Sequence, residues 1–223
     1  MPLQINRKIF IYFFIFFILG TYNNKKFSNL SFPKIDNYEI TGLSKANNKK
    51  ISQDLSYLQN QNLFFLKKSK ILKIINSHKV IEKYSVFKNY PSNLDVVIER
   101  TNFLALTKKN GLDFLIGSNG NLIEAKNHKV DLPYIEGNVD ISEFLKLKII
   151  IDNSKFDYTK IKNLYYFKSR RWDIETKDNL LIKLPVKKVE KSFELFFKMY
   201  EKEEFKNFKI IDLRQDNQVI LNE

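Results

Sequence analysis

Cysteine is absent from the 223 residues. No disulfide framework, thiolate nucleophile or thiolate-bound metal can be built, although an exported protein need not use disulfides. Histidine occurs twice, at His78 and His128, with no second ligand type at metal spacing. Each reads as a surface or turn residue rather than a ligand. Glycine and proline are scarce, with six and five copies. The chain contains no G-x-S-x-G elbow, no Walker loop and no G-x-G-x-x-G turn. Gly117 and Gly120 bracket Ser118-Asn119, but no helical pattern follows, so the pair reads as a hairpin turn rather than a phosphate cradle. Glu201, Glu203 and Glu204 end a lysine-rich segment and read as a solvated face. These absences leave no catalytic residue, cofactor or metal to assign.

What is present is apolar bulk and lysine. Hydrophobic residues make up 43% and aromatics 14%, enough for packed cores and too much for global disorder. The net charge of +13 is a lysine charge, since arginine stands only at positions 7, 100, 170, 171 and 214. The lysines are scattered. They read as solvated surface, with attraction for polyanions as a side effect.

The longest apolar run is "IFIYFFIFFIL", Ile9 to Leu19, preceded by Arg7-Lys8 and followed by Asn23-Asn24-Lys25-Lys26. Eleven helical residues rise about 16 Å, and Ile5 to Tyr22 about 27 Å, against a hydrocarbon core of roughly 30 Å. With snorkelling basic residues the longer stretch is a usable span. A cleaved signal peptide needs small residues before the cut, and only Gly20-Thr21 is available before bulky Tyr22. The expectation is an uncleaved signal-anchor over residues 9–22, with residues 1–8 cytoplasmic and the bulk exported.

Beyond it, residues 23–35 read as a polar linker. "YEITGL" is a short strand ending at Gly42. Ile51, Leu55 and Leu58 recur at helical spacing, and Ser69 is a candidate N-cap for a second helix carrying Leu72 and Ile75. "VIEKYSVFK" and Leu94–Arg100 form two strands about a Pro91-Ser92-Asn93 turn. The order is β-α-α-β-β. After Arg100 come strands at 103–108 and 112–116, an ordered loop "LPYIEG" at 132–137, and a helix near 141–147. Strands follow at 163–167, 172–176 and 180–184, then a helix over 186–200 with Val189, Phe193, Phe196, Phe197 and Tyr200 on one stripe, and one or two closing strands. The whole is an α+β chain. Arg170-Arg171-Trp172 has two readings: a binding hot spot, or a core Trp172 covered by stacked arginines.

Taken together these segments resemble the bacterial cell-division family FtsQ/DivIB. "YEITGLSKANNKKISQDLSYLQNQNLFFL" is similar to the opening strand, helix and connector of that family's POTRA domain. "VIEKYSVFKNYPSNLDVVIERTNFLAL" is similar to its closing hairpin, and "LIGSNGNLIEA", "LPYIEG", "RRWDIETKDNLLIKLP" and "IIDLRQDNQVIL" to motifs of its second domain. Departures stand at Ser77-His78 and Phe103, where the family has proline, and at the Asn119 and Asp178-Asn179 turns. The resemblance implies a POTRA domain over 36–102 and an antiparallel β-domain with flanking helices over 103–223. It also implies a non-enzymatic, single-pass scaffold of the inner membrane, located at the division septum. Upstream division proteins would engage the POTRA domain, and FtsB and FtsL the β-domain. Carried over, the partner-binding residues are Arg170, Arg171, Asp212, Leu213, Arg214, Asn217, Val219 and Leu221. The competing reading is a membrane-anchored basic module that binds nucleic acid or an anionic envelope polymer. Against it, no basic run is interleaved with stacking aromatics.

Overall fold

The computed structural model describes residues 7–22, 33–125, 130–200, 208–215 and 218–222. Among them are five α-helices and twelve strands, set in two sheets over two separate cores.

Helix α1 (Arg7–Tyr22) has 16 residues, a rise of about 24 Å. It is apolar on every face, and none of its side chains enters either core. No helix among the described residues is long and apolar enough to cross a membrane.

The first core is closed by β1 (Asn37–Thr41), α2 (Lys45–Asp54), α3 (Lys68–Ile75), β2 (Ile81–Asn89) and β3 (Asn93–Arg100). Ser44 caps α2 by accepting the Asn47 N–H. Alternation along β3 turns Leu94, Val96 and Ile98 onto the helices, where they meet Ile51, Leu55, Ile71 and Ile75. The second helix differs in detail from its expected form. It starts at Lys68, Ser69 lies exposed within its first turn, and Ile71 rather than Leu72 shares the inward face with Ile75. An i, i+4 pair lies on one face, and Leu72 is about 100° away from Ile71. The sheet order is β1-β3-β2, with β1 parallel to β3.

Thr101 and Asn102 lead directly into the second unit. It comprises β4 (Phe103–Lys109), β5 (Leu112–Gly117), β6 (Leu122–Glu124), β7 (Tyr134–Glu136), α4 (Ile141–Asp152), β8 (Ile161–Tyr166), β9 (Trp172–Thr176), β10 (Leu181–Lys183), α5 (Val189–Tyr200), β11 (Ile210–Asp212) and β12 (Ile220–Asn222). Their order across the sheet is β12-β11-β10-β9-β8-β7-β4-β5-β6.

This sheet is mixed, which corrects the expected antiparallel domain. β4 with β7, β7 with β8, and β10 with β11 are parallel pairs. Two of the three arise because a helix separates consecutive strands: α4 carries the chain from β7 to β8, and α5 from β10 to β11. A helical crossover returns the chain to the starting end of the sheet, so the next strand runs parallel. The "LPYIEG" segment is likewise a strand and not a loop, and it sits between β4 and β8. Both helices are crossovers packed on the sheet. Phe144, Leu147 and Ile151 of α4 and Phe193 and Phe196 of α5 share one core with Trp172, Ile174, Ile182 and Ile211.

The turn between β5 and β6 locks the two units together. Asn119 Nδ2 donates to the carbonyls of Lys79 and Ile81 at 3.0 and 2.8 Å, and Ser118 Oγ donates to Glu82 at 2.9 Å. Buried Thr101 closes the joint through its backbone bond to Val80 and its hydroxyl contact with Ser118.

Two glycines end strands that pair in parallel, Gly42 after β1 and Gly137 after β7, each at φ +104°. A Cβ on Gly42 would lie 1.7 Å from the Ile98 carbonyl oxygen, and one on Gly137 2.2 Å from that of Tyr166. Gly42→Ala and Gly137→Ala are each expected to lose about 2 kcal/mol or more. Gly111→Ala, where nothing lies within 4 Å, should lose only about 1 kcal/mol, from its φ of +81°. Urea unfolding of the three variants separates steric clash from backbone strain; equal losses at all three would contradict the close-approach account.

Candidate partner-binding face

Because α4 and α5 lie against one side of the nine-stranded sheet, alternate residues of β8–β11 point to the other side. Their side chains form cross-strand rows. One row runs Ile220, Asp212, Lys183, Asp173, Tyr165, Glu136, and the next runs Ile210, Leu181, Glu175, Asn163. In the first row Lys183 stands between two carboxylates, with a guanidinium closing each outer side. Arg171 Nε donates to Asp173 Oδ1 at 3.2 Å, and Arg214 grips Asp212 through Nε at 2.8 and 2.9 Å and through Nη2. The charges therefore alternate along Arg171, Asp173, Lys183, Asp212, Arg214.

The two carboxylates sit in different environments. Burial pushes the Asp173 carboxyl up, and the neighbouring Arg171, Lys183 and Arg214 charges oppose that shift. Its side chain is only 7% exposed. Asp212 is held below the ordinary carboxylate range, chiefly by its hydrogen bonds from Arg214. Sequence reading assigned roles to Arg171, Asp212 and Arg214 but missed Asp173 and Lys183. Both alternate with buried residues, Asp173 between Trp172 and Ile174 and Lys183 between Ile182 and Leu184, so the period of two was the signal that would have placed them.

The arginine pair is divided by the turn it occupies. Arg171 is committed: it is bonded to Asp173, and its guanidinium stacks 4.2 Å over the Phe167 ring. Arg170 sits at φ +62° in the β8–β9 turn, with its N–H bonded to the Phe167 carbonyl. Its side chain is exposed and forms no hydrogen bond or ion pair among the described residues, although its charge reaches Asp140. Trp172 is core, packed on Tyr166 at 4.6 Å and facing Phe144, and the stacking arginine covers Phe167 instead.

Near β12 the residues divide in the same way. Leu213 is buried, and its N–H donates to the Lys183 carbonyl. Val219 and Leu221 pack against the core from a half-buried position, while Ile220 points outward and is 53% exposed. Asn217 lies outside the described residues. Strand β12 pairs with β11 on one side and has no neighbour on the other among the described residues.

The remaining candidates fall elsewhere. His78 is mostly buried in the turn after α3, not on the surface, with Nε2 2.9 Å from an Asp54 carboxylate oxygen but without hydrogen-bond geometry. His128 and the Glu201, Glu203, Glu204 cluster lie outside the described residues. Glu99 makes an exposed cross-strand pair with Lys83 rather than with Arg100, which stacks on Phe103. No group of three His, Cys, Asp or Glu side chains that could hold a metal occurs among the described residues.

The second unit is thus a mixed sheet with helices on one face, an ordered charge row on the other and an edge strand, β12, with no outer neighbour among the described residues. Residues 105–214 match the model of the C-terminal domain of the cell division protein FtsQ/DivIB. The second unit is therefore a domain of the FtsQ/DivIB family of cell-division proteins. No curated protein matches it. Among solved structures it is similar to the major extracytoplasmic domain of the trans isomer of the bacterial cell division protein DivIB from Geobacillus stearothermophilus. That likeness has 13% identity and a TM-score of 0.34, and covers 43% of this chain and 87% of that one.

In the row next to the charged one, Glu175 accepts hydrogen bonds from Lys162 at 2.8 Å, from Asn163 at 2.9 Å and from Tyr165. These hold its carboxyl at about 2, against an ordinary value of 4.5. A depressed carboxyl stabilises the fold above the unfolded value and loses that contribution as pH falls through the folded one. The protein should therefore lose about 1–3 kcal/mol from this group between about pH 4.5 and pH 2. Glu175→Gln should be less stable at neutral pH and show a flatter acid limb in urea titrations; parallel limbs would count against the assignment.

Proposed function

We propose that this chain is a non-enzymatic, membrane-anchored scaffold of the bacterial division machinery that binds FtsB and FtsL through the outer end of its second unit. The observation that carries the reading is the position of β12. It is the last strand of the sheet, and its side away from β11, without a neighbour among the described residues, offers N–H and C=O groups to which a partner strand can add. Main-chain pairing selects poorly among sequences, so selection falls to side chains beside the edge. The charge row ending at Arg214 supplies them, together with outward Ile220 and unpaired Arg170 at the β8–β9 turn. Leu213 supports the segment from the core, while Val219 and Leu221 fix which face of β12 turns outward.

Helix α1 and the residues beside it are the proposed anchor. An apolar helix with no buried face in either core needs an apolar surrounding. In this reading residues 1–8 are cytoplasmic, the bulk lies in the periplasm, and the protein works at the septum. The first unit, read as the POTRA domain over 36–102, receives upstream division proteins.

Arg170→Glu is expected to abolish co-purification of residues 33–223 with the exported segments of FtsB and FtsL while leaving the melt unchanged. Reversal of a contact worth about 2–5 kcal/mol accounts for such a loss. Arg171→Glu should lose both binding and stability, because it leaves Asp173 buried without its partner. Retained binding in Arg170→Glu and in a chain ending at Gln218 would rule out this edge as the site. For the anchor, the full chain should stay with membranes through alkaline extraction; release into the wash would remove α1 as a span.

A further inference from the structure

One end of the first unit carries an exposed aromatic cluster ringed by lysines that the partner-binding reading does not use. Phe64, Phe65 and Tyr90 are 53%, 71% and 55% exposed, and the Phe64 and Tyr90 rings lie 4.7 Å apart. Three chain segments meet there. Ile35 N–H bonds the Gln61 carbonyl, Asp36 N–H bonds the Ser92 carbonyl, and Lys34 bridges to Asn62. Lys88 Nζ reaches the Leu66 carbonyl at 3.3 Å. In the segments 33–36, 60–70 and 87–93 the charged residues are Lys34, Lys67, Lys68, Lys70 and Lys88 against a single carboxylate, Asp36. Adjacent exposed aromatics are uncommon on a soluble surface, and apolar exposure ringed by one sign of charge marks an interaction site.

The position of the cluster identifies its partner. It lies at the Asn93 end of the first sheet, and the junction with the second unit is at the Arg100 end of β3, about 23 Å away. It is also the end at which the chain arrives from α1. Ten residues separate Tyr22 from Pro33, and they can span no more than about 35 Å. Phenylalanine and tyrosine rings settle at the headgroup level of a bilayer, and each lysine near an anionic surface adds attraction. We propose that this tip docks on the anionic surface of the membrane that holds α1, so that the first unit lies against the bilayer and the second unit points away from it. The proposal rests on the anchoring role given to α1.

The test uses residues 33–223. This fragment contains every residue of both cores and none of α1, so it folds on its own, and the result does not depend on whether α1 spans a membrane. Wild-type fragment should sediment with vesicles of phosphatidylglycerol and phosphatidylcholine and not with phosphatidylcholine alone, and the binding should weaken with added salt. Phe64→Ser with Phe65→Ser, and separately Lys67→Glu with Lys68→Glu, should each lower the partition coefficient about tenfold or more, with melts close to wild type. In Tyr90→Trp, whose fold is otherwise intact, indole emission should shift to the blue on the anionic vesicles. Wild-type partition by the phenylalanine variant, or no shift from Trp at position 90, overturns the proposal. So does retention on immobilised polyphosphate that equals vesicle binding and ignores the phenylalanines, because the tip is then a polyanion site.

Discussion

The second unit depends on one-sided burial of its sheet. Phe144 and Leu147 from α4, and Phe193 and Phe196 from α5, press onto Trp172, Ile174, Ile182 and Ile211. Phe156 packs its ring about 6 Å from those of Phe193, Phe196 and Phe197 and so links the two crossovers. Tyr158 joins the same layer by donating to the Leu104 carbonyl at 2.8 Å, and burial pushes its phenol well up. With all the apolar cover on one side, the other side has to be made compatible with water while its strands stay close together. The strand period then fixes which residues face out. The ionic row Arg171, Asp173, Lys183, Asp212, Arg214 follows from that division.

The row also organises the loops around the sheet. Arg171 opens β9 and Arg214 follows β11, and each is held by the carboxylate two residues further into its strand. A guanidinium bonded in this way is already oriented, and less side-chain entropy remains to be lost on binding. Arg170 lacks such a restraint, and the left-handed turn carries it away from the row. Neighbouring arginines in one motif therefore have different physical roles, one positioning and one available, although their sequence context is almost the same.

Much of this architecture was legible from periodicity. The alternation Leu94, Val96, Ile98 placed β3 within a residue, and the stripe Val189, Phe193, Phe196 placed α5. The Gly117–Asn121 hairpin was legible from its turn residues. Three features were not. The parallel pairs are not legible, because the helical pattern shows that a helix separates two strands but not which strands become neighbours in the sheet. "LPYIEG" reads as a loop because its three strand residues are too few to show alternation, and its strand character comes from neighbours on both sides. At the candidate site, the basic residues and the last strand were legible from motif resemblance. The carboxylates and Lys183 that organise them were not, since a single Asp or Lys among apolar neighbours looks like ordinary surface until the register is known.

The two edges of the large sheet lie in different surroundings. Sheet edges invite strand addition and are usually short, charged or covered. At one edge the turn that leads into β6 is fastened to the first unit by Asn119 and Ser118, so this edge lies beside the chain's own joint. At the other, β12 is only three residues long and carries exposed Ile220 and no charged side chain. A short strand is weak protection when an apolar side chain marks it and cations stand beside it. The sheet thus has one edge beside the joint with the neighbouring unit and, at its opposite end, the edge strand β12, without an outer neighbour among the described residues. A partner strand added at β12 would extend the sheet on the side away from the β5–β6 turn and its joint with the first unit.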